Sequence, residues 1–293
     1  MIATTGFFDG VHLGHRLVIE RLVSLARERG DESLVVTFWP HPRAVLQDGA
    51  RELRLLNSLE EKKELLRSLG VDRVEVLDFT RSFAALTAEQ YLREILRDRF
   101  GVTTLLMGYD NRLGSDRLTA DTLKPIAEGI GMELKELLPL SFRPSEASGE
   151  ISSTQIRTAL ENGDIASAAE MLGYGYSLKG VVVAGNRLGR TIGFPTANMK
   201  LYEPLKLVPG RGVYAVEAEV LGKKYQGMTN IGLRPTVGGS FTTIETHILD
   251  FDEDIYGLPL RITFLRRLRN EIRFPSLAEL TRQLEKDRDC CRE

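Results

Sequence analysis

Apolar residues in the first half of the chain follow two alternating spacings, which predict strands separated by helices. Short apolar runs with strand-like lengths and flanking turns lie at residues 4–7, 33–38, 73–79, 103–108 and 132–138. Between them, apolar positions recur every three or four residues, as on the buried face of a helix. Strands that alternate with helices predict a doubly wound α/β domain with a parallel sheet, of the Rossmann-like kind.

Two helix starts carry a local signal. Ser58 is followed three residues later by Glu61, and Thr87 by Gln90, which is the spacing of a capping box. In a capping box each of the two side chains accepts a hydrogen bond from a backbone N–H that the helix leaves unpaired. We expect one helix to begin after Ser58 and another after Thr87.

The pattern changes from about Tyr176, where apolar and polar positions alternate and the turns are rich in glycine. Segments 177–185, 212–227, 242–251 and 258–268 alternate in this way, and a helical pattern follows from Ser276. Several short alternating strands with glycine turns predict a small closed β-barrel, here with a C-terminal helix.

The composition limits which partners and which cellular location are expected for this chain. The 293 residues are 42% hydrophobic and 27% charged, with a formal net charge of −2. This charge argues against a nucleic-acid partner, and no apolar run is long enough to cross a membrane. The two cysteines, Cys290 and Cys291, are adjacent, and no secretory signal opens the sequence, so a cytoplasmic location is expected. We predict two domains, at 1–172 and 173–293, joined within 161–176, and no oligomeric state follows from the sequence.

Three polar motifs begin where predicted strands end. They are "GFFDGVHLGH" at 6–15, "WPHPR" at 39–43 and "GYDNR" at 108–112. Ligands of open α/β sheets bind beyond the carboxyl ends of the strands. We therefore expect these three turns to surround one site.

The pair His12 and His15 has three interpretations. A zinc site would need a third ligand, for which His41 is available, although no recognisable zinc spacing links it to the pair. Structural histidines would merely cap the first turn of the helix. A phosphate site would use the glycines for close backbone approach, and the helix N-terminus and imidazoles as donors. The residues favour this third interpretation.

A second polar motif, "GRTIGFPTANM" at 189–199, lies in the all-β half. In an extended segment Thr196 and Asn198 point to the same side. Their hydroxyl and amide oxygens suit a hard cation that also keeps water and phosphate ligands. The preceding loop 185–190 allows the main chain to approach a phosphate, and the P-loop sequence is absent.

The opening motif resembles the H-x-G-H signature of the nucleotidyltransferase superfamily, and the longer string looks like the start of bacterial FAD synthetases. The resemblance implies that His12 and His15 contact the triphosphate of ATP and stabilise charge at the α-phosphorus. It also implies that the turn binds ATP through Gly6, Phe8, Asp9, Gly10 and Gly14.

Two further segments resemble the same family. "ISSTQIR" at 151–157 is similar to its second nucleotide loop, which implies that Ser153, Thr154 and the catalytic Arg157 meet triphosphate oxygens. "GYDNRLG" at 108–114 is similar to a G-x-D-F-x-F-G turn, which implies a nucleotide contact from Asp110. Asn111 and Leu113 stand where this turn usually has phenylalanine, so weaker flavin packing is expected.

The barrel half resembles riboflavin kinases. "GFPTAN" is similar to their ATP and magnesium site, which implies Mg²⁺ at Thr196 and Asn198 and ATP phosphates at Gly185, Gly189 and Arg190. The segment 243–252 is similar to the one whose glutamate acts as general base, which implies that role for Glu245. Residues 264–287 resemble the flavin-side loop and helix of the kinase.

The resemblance covers nearly the whole chain and implies a bifunctional riboflavin kinase/FAD synthetase. Such an enzyme phosphorylates riboflavin to FMN with Mg²⁺ and ATP, and then joins FMN to AMP from a second ATP to give FAD and pyrophosphate. Two alternatives stay open at this point. One is an H-x-G-H nucleotidyltransferase for another phosphorylated substrate. The other is a riboflavin kinase whose impaired adenylyl site serves as a flavin-binding regulator.

Overall fold

A computed structural model describes residues 1–47, 53–108, 111–137, 151–185, 188–236 and 239–292. The chain divides into two compact units, Met1–Ser152 and Ser153–Glu293.

Within its described residues, the first unit has a five-stranded parallel sheet in the order β3-β2-β1-β4-β5. The strands are β1 (Ile2–Thr5), β2 (Ser33–Trp39), β3 (Arg73–Asp78), β4 (Thr104–Gly108) and β5 (Glu133–Leu137). The helices are α1 (Leu13–Arg29), α2 (Pro42–Leu46), α3 (Leu59–Ser68), α4 (Arg81–Ala84), α5 (Ala88–Gln90), which continues as a π-helical segment (Tyr91–Arg99), and α6 (Ala120–Gly129). The predicted doubly wound fold is confirmed.

Both faces of this sheet are buried, because consecutive residues of one strand pack into different core clusters. In β1, Ile2 packs with α1, whereas Ala3 packs on the opposite side. In β2, Leu34 and Val36 share the cluster of Ala3, and Val35 shares that of Ile2. Two buried faces account for the nearly continuous apolar runs of these strands.

The two capping boxes predicted from the sequence are confirmed. The Glu61 N–H donates to the Ser58 hydroxyl over 3.2 Å, and the Ser58 N–H donates to the Glu61 carboxylate over 2.8 Å. Thr87 and Gln90 make the equivalent pair of bonds, at 3.2 and 2.9 Å. The first strand differs from prediction, since β1 ends at Thr5 and residues 6–12 form a turn in which Phe8 has a φ of 53°.

In the described residues of the second unit, the strands form a closed barrel, as predicted, and the structure gives their order as β10-β7-β6-β11-β8-β9. Its strands are β6 (Ser177–Val183), β7 (Ala197–Leu201), β8 (Gly212–Val220), β9 (Lys223–Thr236), β10 (Gly239–Ile248) and β11 (Pro259–Arg269). Its helices are α7 (Ser153–Glu161), α8 (Ile165–Leu172), α9 (Leu188–Thr191) and the C-terminal α10 (Leu277–Arg292).

A buried ion pair joins the C-terminal helix to the barrel. The Arg269 guanidinium of β11 donates to the Asp287 carboxylate of α10 over 2.7 Å, and only 4% of the Asp287 side chain is exposed. Burial of the carboxylate makes this contact sensitive to loss of either partner. The helix predicted from Ser276 is therefore part of the barrel unit.

Candidate active sites

The opening turn places His12 and His15 at the start of α1, beyond the carboxyl end of β1. Their rings stack with centroids 3.7 Å apart and planes 21° apart. The Nδ1 atoms of both rings are buried and have no hydrogen-bond partner among the described residues. His12 occupies the N-cap position, but its side chain makes no capping bond, so the interpretation of His12 as a cap is wrong.

Burial also sets the protonation of these histidines. It lowers the pKa of His12 from 6.5 to about 4. The pKa of His15 lies well below its ordinary value, first because of burial and then because of nearby charge on His12 and Lys62. Both imidazoles are therefore neutral at pH 7 and offer N–H donors rather than fixed positive charge.

The rest of the opening motif shapes this turn. The Phe8 ring packs edge-on against His15, with centroids 5.3 Å apart. A Cβ atom at Gly14 would lie 3.3 Å from the His12 ring, so glycine allows the ring to approach the helix start. Gly10 has a φ of 85°, and Gly6 lies directly after β1, where its N–H donates to the Val36 carbonyl.

Asp9 is buried and connects the opening turn to the segment before α3. Its carboxylate accepts hydrogen bonds from the N–H groups of Leu56 and Asn57, over 3.0 and 3.3 Å. These bonds bring α3 next to the histidines. Asp9 thus has an observed structural role, while its predicted contact with ATP stays a prediction.

Lys62 of α3 is a residue of this site that the sequence reasoning missed. Its side chain is fully buried, and Nζ lies 3.4 Å from the centroid of the Phe7 ring. Burial lowers the pKa of Lys62 to about 8, and the charge of Asp9 opposes this shift. A signal was present, because Lys62 falls at helical spacing between Leu59 and Leu66, on the apolar stripe of α3.

The turn at 39–43 contacts the opening turn, as expected. The His41 ring packs against Phe7 with centroids 4.2 Å apart, and His41 Nδ1 accepts from the Arg43 N–H over 3.0 Å. In the part of the chain that the structure describes, no three His, Cys, Asp or Glu side chains form a possible metal site. The zinc interpretation of His12, His15 and His41 therefore has no structural support.

The remaining predicted residues of the adenylyl site lie elsewhere in the chain. Asp110 lies outside the described residues, so its predicted contact is not described. Ser153 begins α7 of the second unit, and Thr154 and Arg157 follow on the same helix. The roles of these residues stay predictions.

In the barrel, strand register brings Glu245 and Asn198 together. They are directly opposite each other in the antiparallel pair of β10 and β7. The Arg234 guanidinium of β9 donates to the Glu245 carboxylate over 3.1 Å, an ion pair that the sequence reasoning did not predict. The predicted alternation along β10 is confirmed, because Ile244, Thr246 and Ile248 are buried and Glu245 is partly exposed.

A cavity of about 320 Å³ is lined by the neighbouring paired residues of the same two strands, Ala197 and Thr246. Thr196 and Arg190 line it, together with the acidic run 252–254, which the sequence reasoning passed over although it is visible in the sequence. Neither Asn198 nor Glu245 is among its lining residues. A Cβ atom at Gly185 would lie 2.2 Å from Asn198 Nδ2, so only glycine allows this approach. Gly189 lies within α9, beside Arg190.

Comparison with known proteins assigns both halves. The family model described as FAD synthetase matches residues 1–155, and the one described as riboflavin kinase matches residues 172–293. A bifunctional riboflavin kinase/FMN adenylyltransferase of Bacillus subtilis is 38% identical over 98% of this chain and 90% of its own length. The protein of that name from Escherichia coli K12 is 39% identical over 100% of this chain and 92% of its own length.

A solved structure shares the fold. A crystal structure from Streptococcus pneumoniae, described as a macrolide-efflux protein, has a TM-score of 0.91 and 32% identity and covers 100% of this chain and 93% of its own. Among the described residues of the present chain, none of the helices is both long and apolar enough to cross a membrane. The chain belongs to the bifunctional riboflavin kinase/FMN adenylyltransferase family, whose two activities use ATP to convert riboflavin into FMN and FMN into FAD.

Proposed function

We propose that the two activities occupy separate sites, with adenylyl transfer assigned to residues 1–172 and the kinase to residues 173–293. One observation carries the proposal: the histidine pair and the candidate side chains of the kinase belong to different folds. His12 and His15 lie on the parallel-sheet unit, whereas Glu245 and Asn198 face each other across two barrel strands.

In the adenylyl site, a phosphate oxygen of FMN attacks the α-phosphorus of ATP, and the bond to the bridging oxygen breaks to release pyrophosphate. His12 and His15 donate N–H groups to the phosphate oxygens on which negative charge increases. The lowered pKa values of His12 and His15 support this role. Each ring is neutral and keeps one N–H, which it can donate to a phosphate oxygen without a change in its protonation. Catalysis then consists of positioning and charge stabilisation, without a covalent nucleophile.

Further residues are proposed for adenylyl transfer from the sequence. Ser153, Thr154 and Arg157 would donate to the triphosphate, and Asp110 would contact the nucleotide. Gly6, Phe8, Asp9, Gly10 and Gly14 would shape the turn around ATP. The contacts of Asp9 with the segment before α3, and of Gly14 with the His12 ring, support a shaping role for these two.

In the kinase site, the terminal ribityl hydroxyl of riboflavin attacks the γ-phosphorus of ATP, and ADP leaves. Glu245 accepts the hydroxyl proton as general base. The ion pair with Arg234 supports this assignment, because it holds the carboxylate in one orientation beside Asn198. Gly185, Gly189 and Arg190 would lie along the ATP phosphates, and Arg190 lines the cavity.

The oxygen donors at the barrel cavity fit Mg²⁺. Thr196 lines this cavity together with the acidic run 252–254, and Asn198 follows two residues later on β7. Hydroxyl, amide and phosphate oxygens are the ligands that Mg²⁺ prefers. Thr196 and Asn198 would hold the ion, which would neutralise charge on the ATP phosphates. We also propose the cytoplasmic location expected from the sequence.

Both alternatives from the sequence lose support. The relatives match both halves of the chain, which disfavours a nucleotidyltransferase for another substrate. They also carry the adenylyltransferase name, which disfavours a regulator with an inactive site.

Chromatography of the products formed from riboflavin, ATP and magnesium tests the two-site proposal. The parent chain should produce FAD, and the double variant His12→Ala/His15→Ala should accumulate FMN and stop there. Removing one such donor typically lowers the rate by roughly 10²–10³-fold. A double variant that produces FAD at the parent rate would exclude the histidines from the adenylyl site.

A further inference from the structure

The ammonium group of Lys62 is buried beside the opening turn without a hydrogen-bond acceptor. The residue is 0% exposed, and Nζ has no hydrogen-bond partner in the described ranges of the chain. The ring of Phe7, 3.4 Å away, offers one π-face to a group with three N–H donors. A buried polar group without hydrogen-bond partners costs free energy. A ligand whose oxygens accept hydrogen bonds from the ammonium would remove this cost.

Charged and titratable groups face Lys62 from two other elements. Asp9 of the opening turn attracts the ammonium, but its carboxylate accepts the N–H groups of Leu56 and Asn57. His15 of α1 lies close enough for the charge of Lys62 to lower its pKa, and His15 stacks on His12. The ammonium therefore belongs to the same small region as the two histidines.

We propose that Lys62 is a further phosphate-binding residue of the adenylyltransferase site, where its ammonium donates hydrogen bonds to a phosphate oxygen of ATP or of FMN. This inference rests on the proposed location of that site around His12 and His15. The histidines supply neutral donors, so Lys62 adds the positive charge that a polyphosphate attracts.

The neighbouring lysine provides a matched control. Lys63 follows Lys62 on α3, but its side chain is 24% exposed and its Nζ contacts the Glu60 carboxylate over 3.0 Å. An exposed pair of this kind contributes little to stability. The two lysines are adjacent residues of the same type, and they differ in burial and in partners.

The test compares Lys62→Met with Lys63→Met in the full chain. Lys62→Met should lower kcat/KM for FAD formation from FMN by roughly 10- to 100-fold, and Lys63→Met should not. Both should still convert riboflavin into FMN, which shows that the barrel unit is folded, and the fluorescence of Trp39 on β2 reports the fold of the first unit. Because methionine removes a buried unpaired charge at similar length, the unfolding temperature of Lys62→Met should be maintained or raised.

Separate titrations identify the phosphate. If Lys62 contacts the triphosphate, Lys62→Met should raise the KM for ATP and weaken the binding of inorganic pyrophosphate measured by calorimetry. If it contacts the phosphate of FMN, the KM for FMN should rise and pyrophosphate binding should stay unchanged. Because the pKa of Lys62 is about 8, the ammonium is lost as pH rises through that value, and parent kcat/KM should fall with it. This alkaline fall should be absent from Lys62→Met.

Lys62→Met that forms FAD with parent kinetics and the parent pH profile would overturn the inference and leave Lys62 as a core residue. If Lys62→Met does not fold, Lys62→Gln takes its place with the same criteria. The failure of the inference differs from that of the proposed function. If only the inference about Lys62 fails, the His12→Ala/His15→Ala variant still loses FAD formation. If the proposed function fails, this double variant retains FAD formation.

Discussion

The two candidate sites achieve their chemistry by different physical means. In the parallel-sheet unit, His12 and His15 are stacked and largely withdrawn from water, and burial makes them neutral. In the barrel, Glu245 stays partly exposed and is held by an ion pair and by strand register. The first site depends on desolvation, whereas the second depends on hydrogen-bonded sheet geometry.

This difference indicates to which perturbation each site should be sensitive. A neutral buried imidazole that gains a proton acquires a positive charge, which burial disfavours. The first site should therefore respond to acid. A carboxylate fixed between strands keeps its position as long as the sheet is intact, so the second site should respond most to side-chain replacement. The predictions below test this contrast.

The largest expected effect is that of Glu245→Gln on the kinase reaction. Loss of a general base typically costs roughly 10²–10⁴-fold, so FMN formation from riboflavin should nearly disappear. The same variant supplied with FMN should still form FAD, because the histidines are untouched. Yields of FMN and FAD from each flavin measure both reactions.

The matched control for Glu245→Gln is Glu217→Gln, which removes another barrel glutamate from an ion pair, here with Lys224 at 2.8 Å. This control should keep both activities. Loss of FAD synthesis from FMN in a folded Glu245→Gln chain would contradict the separation of the sites.

The second prediction concerns acid and the first unit. His12 has a pKa near 6.5 in the unfolded chain and about 4 in the folded chain. The unfolded state therefore binds the proton more tightly. The free energy of unfolding should therefore fall as pH drops from about 6.5 to about 4, by roughly 3 kcal/mol for His12. His15 should act in the same direction.

The single tryptophan of the chain, Trp39, lies on β2 and reports unfolding of the first unit by fluorescence. His12→Gln should reduce the acid sensitivity of this transition. The control His247→Gln removes a barrel histidine whose pKa burial also lowers, and it should leave the Trp39 transition unchanged. Equal acid sensitivity in parent and His12→Gln would show that burial of His12 does not control stability.

The smallest predicted effect concerns flavin packing in the adenylyl unit. Replacing Asn111 and Leu113 by phenylalanine should add about 1 kcal/mol of aromatic stacking, which corresponds to a roughly fivefold lower KM for FMN. Leu113 already packs against the apolar core of this unit, so Asn111→Phe alone is the less disruptive comparison. An unchanged or higher KM in both variants would mean that other residues pack the flavin.

Local signals in the sequence accounted for most of the architecture. The change from helical to alternating periodicity separated the parallel sheet from the barrel, and both capping boxes formed where Ser58 and Thr87 predicted. The alternation along β10 also placed Glu245 away from the buried face. These features are decided within a few residues, so a linear pattern is enough to predict them.

The sequence motifs predicted the properties of the site residues only in part. His12 and His15 were visible as a pair, but their neutrality was not, because it depends on burial by the rest of the unit. The left-handed conformation of Phe8 and the π-helical segment after Gln90 were also missed, since neither has a periodic signature.

The sequence by itself determined which elements form and which polar residues stand at their ends, because backbone preferences and apolar spacing act over short distances. Only the tertiary structure decided which of these residues meet. Lys62 reaches the opening turn because Asp9 holds the segment before α3, and Glu245 meets Asn198 and Arg234 because three barrel strands pair in one register. Such contacts join residues far apart in the chain, and their burial and charge exist only once the units have packed.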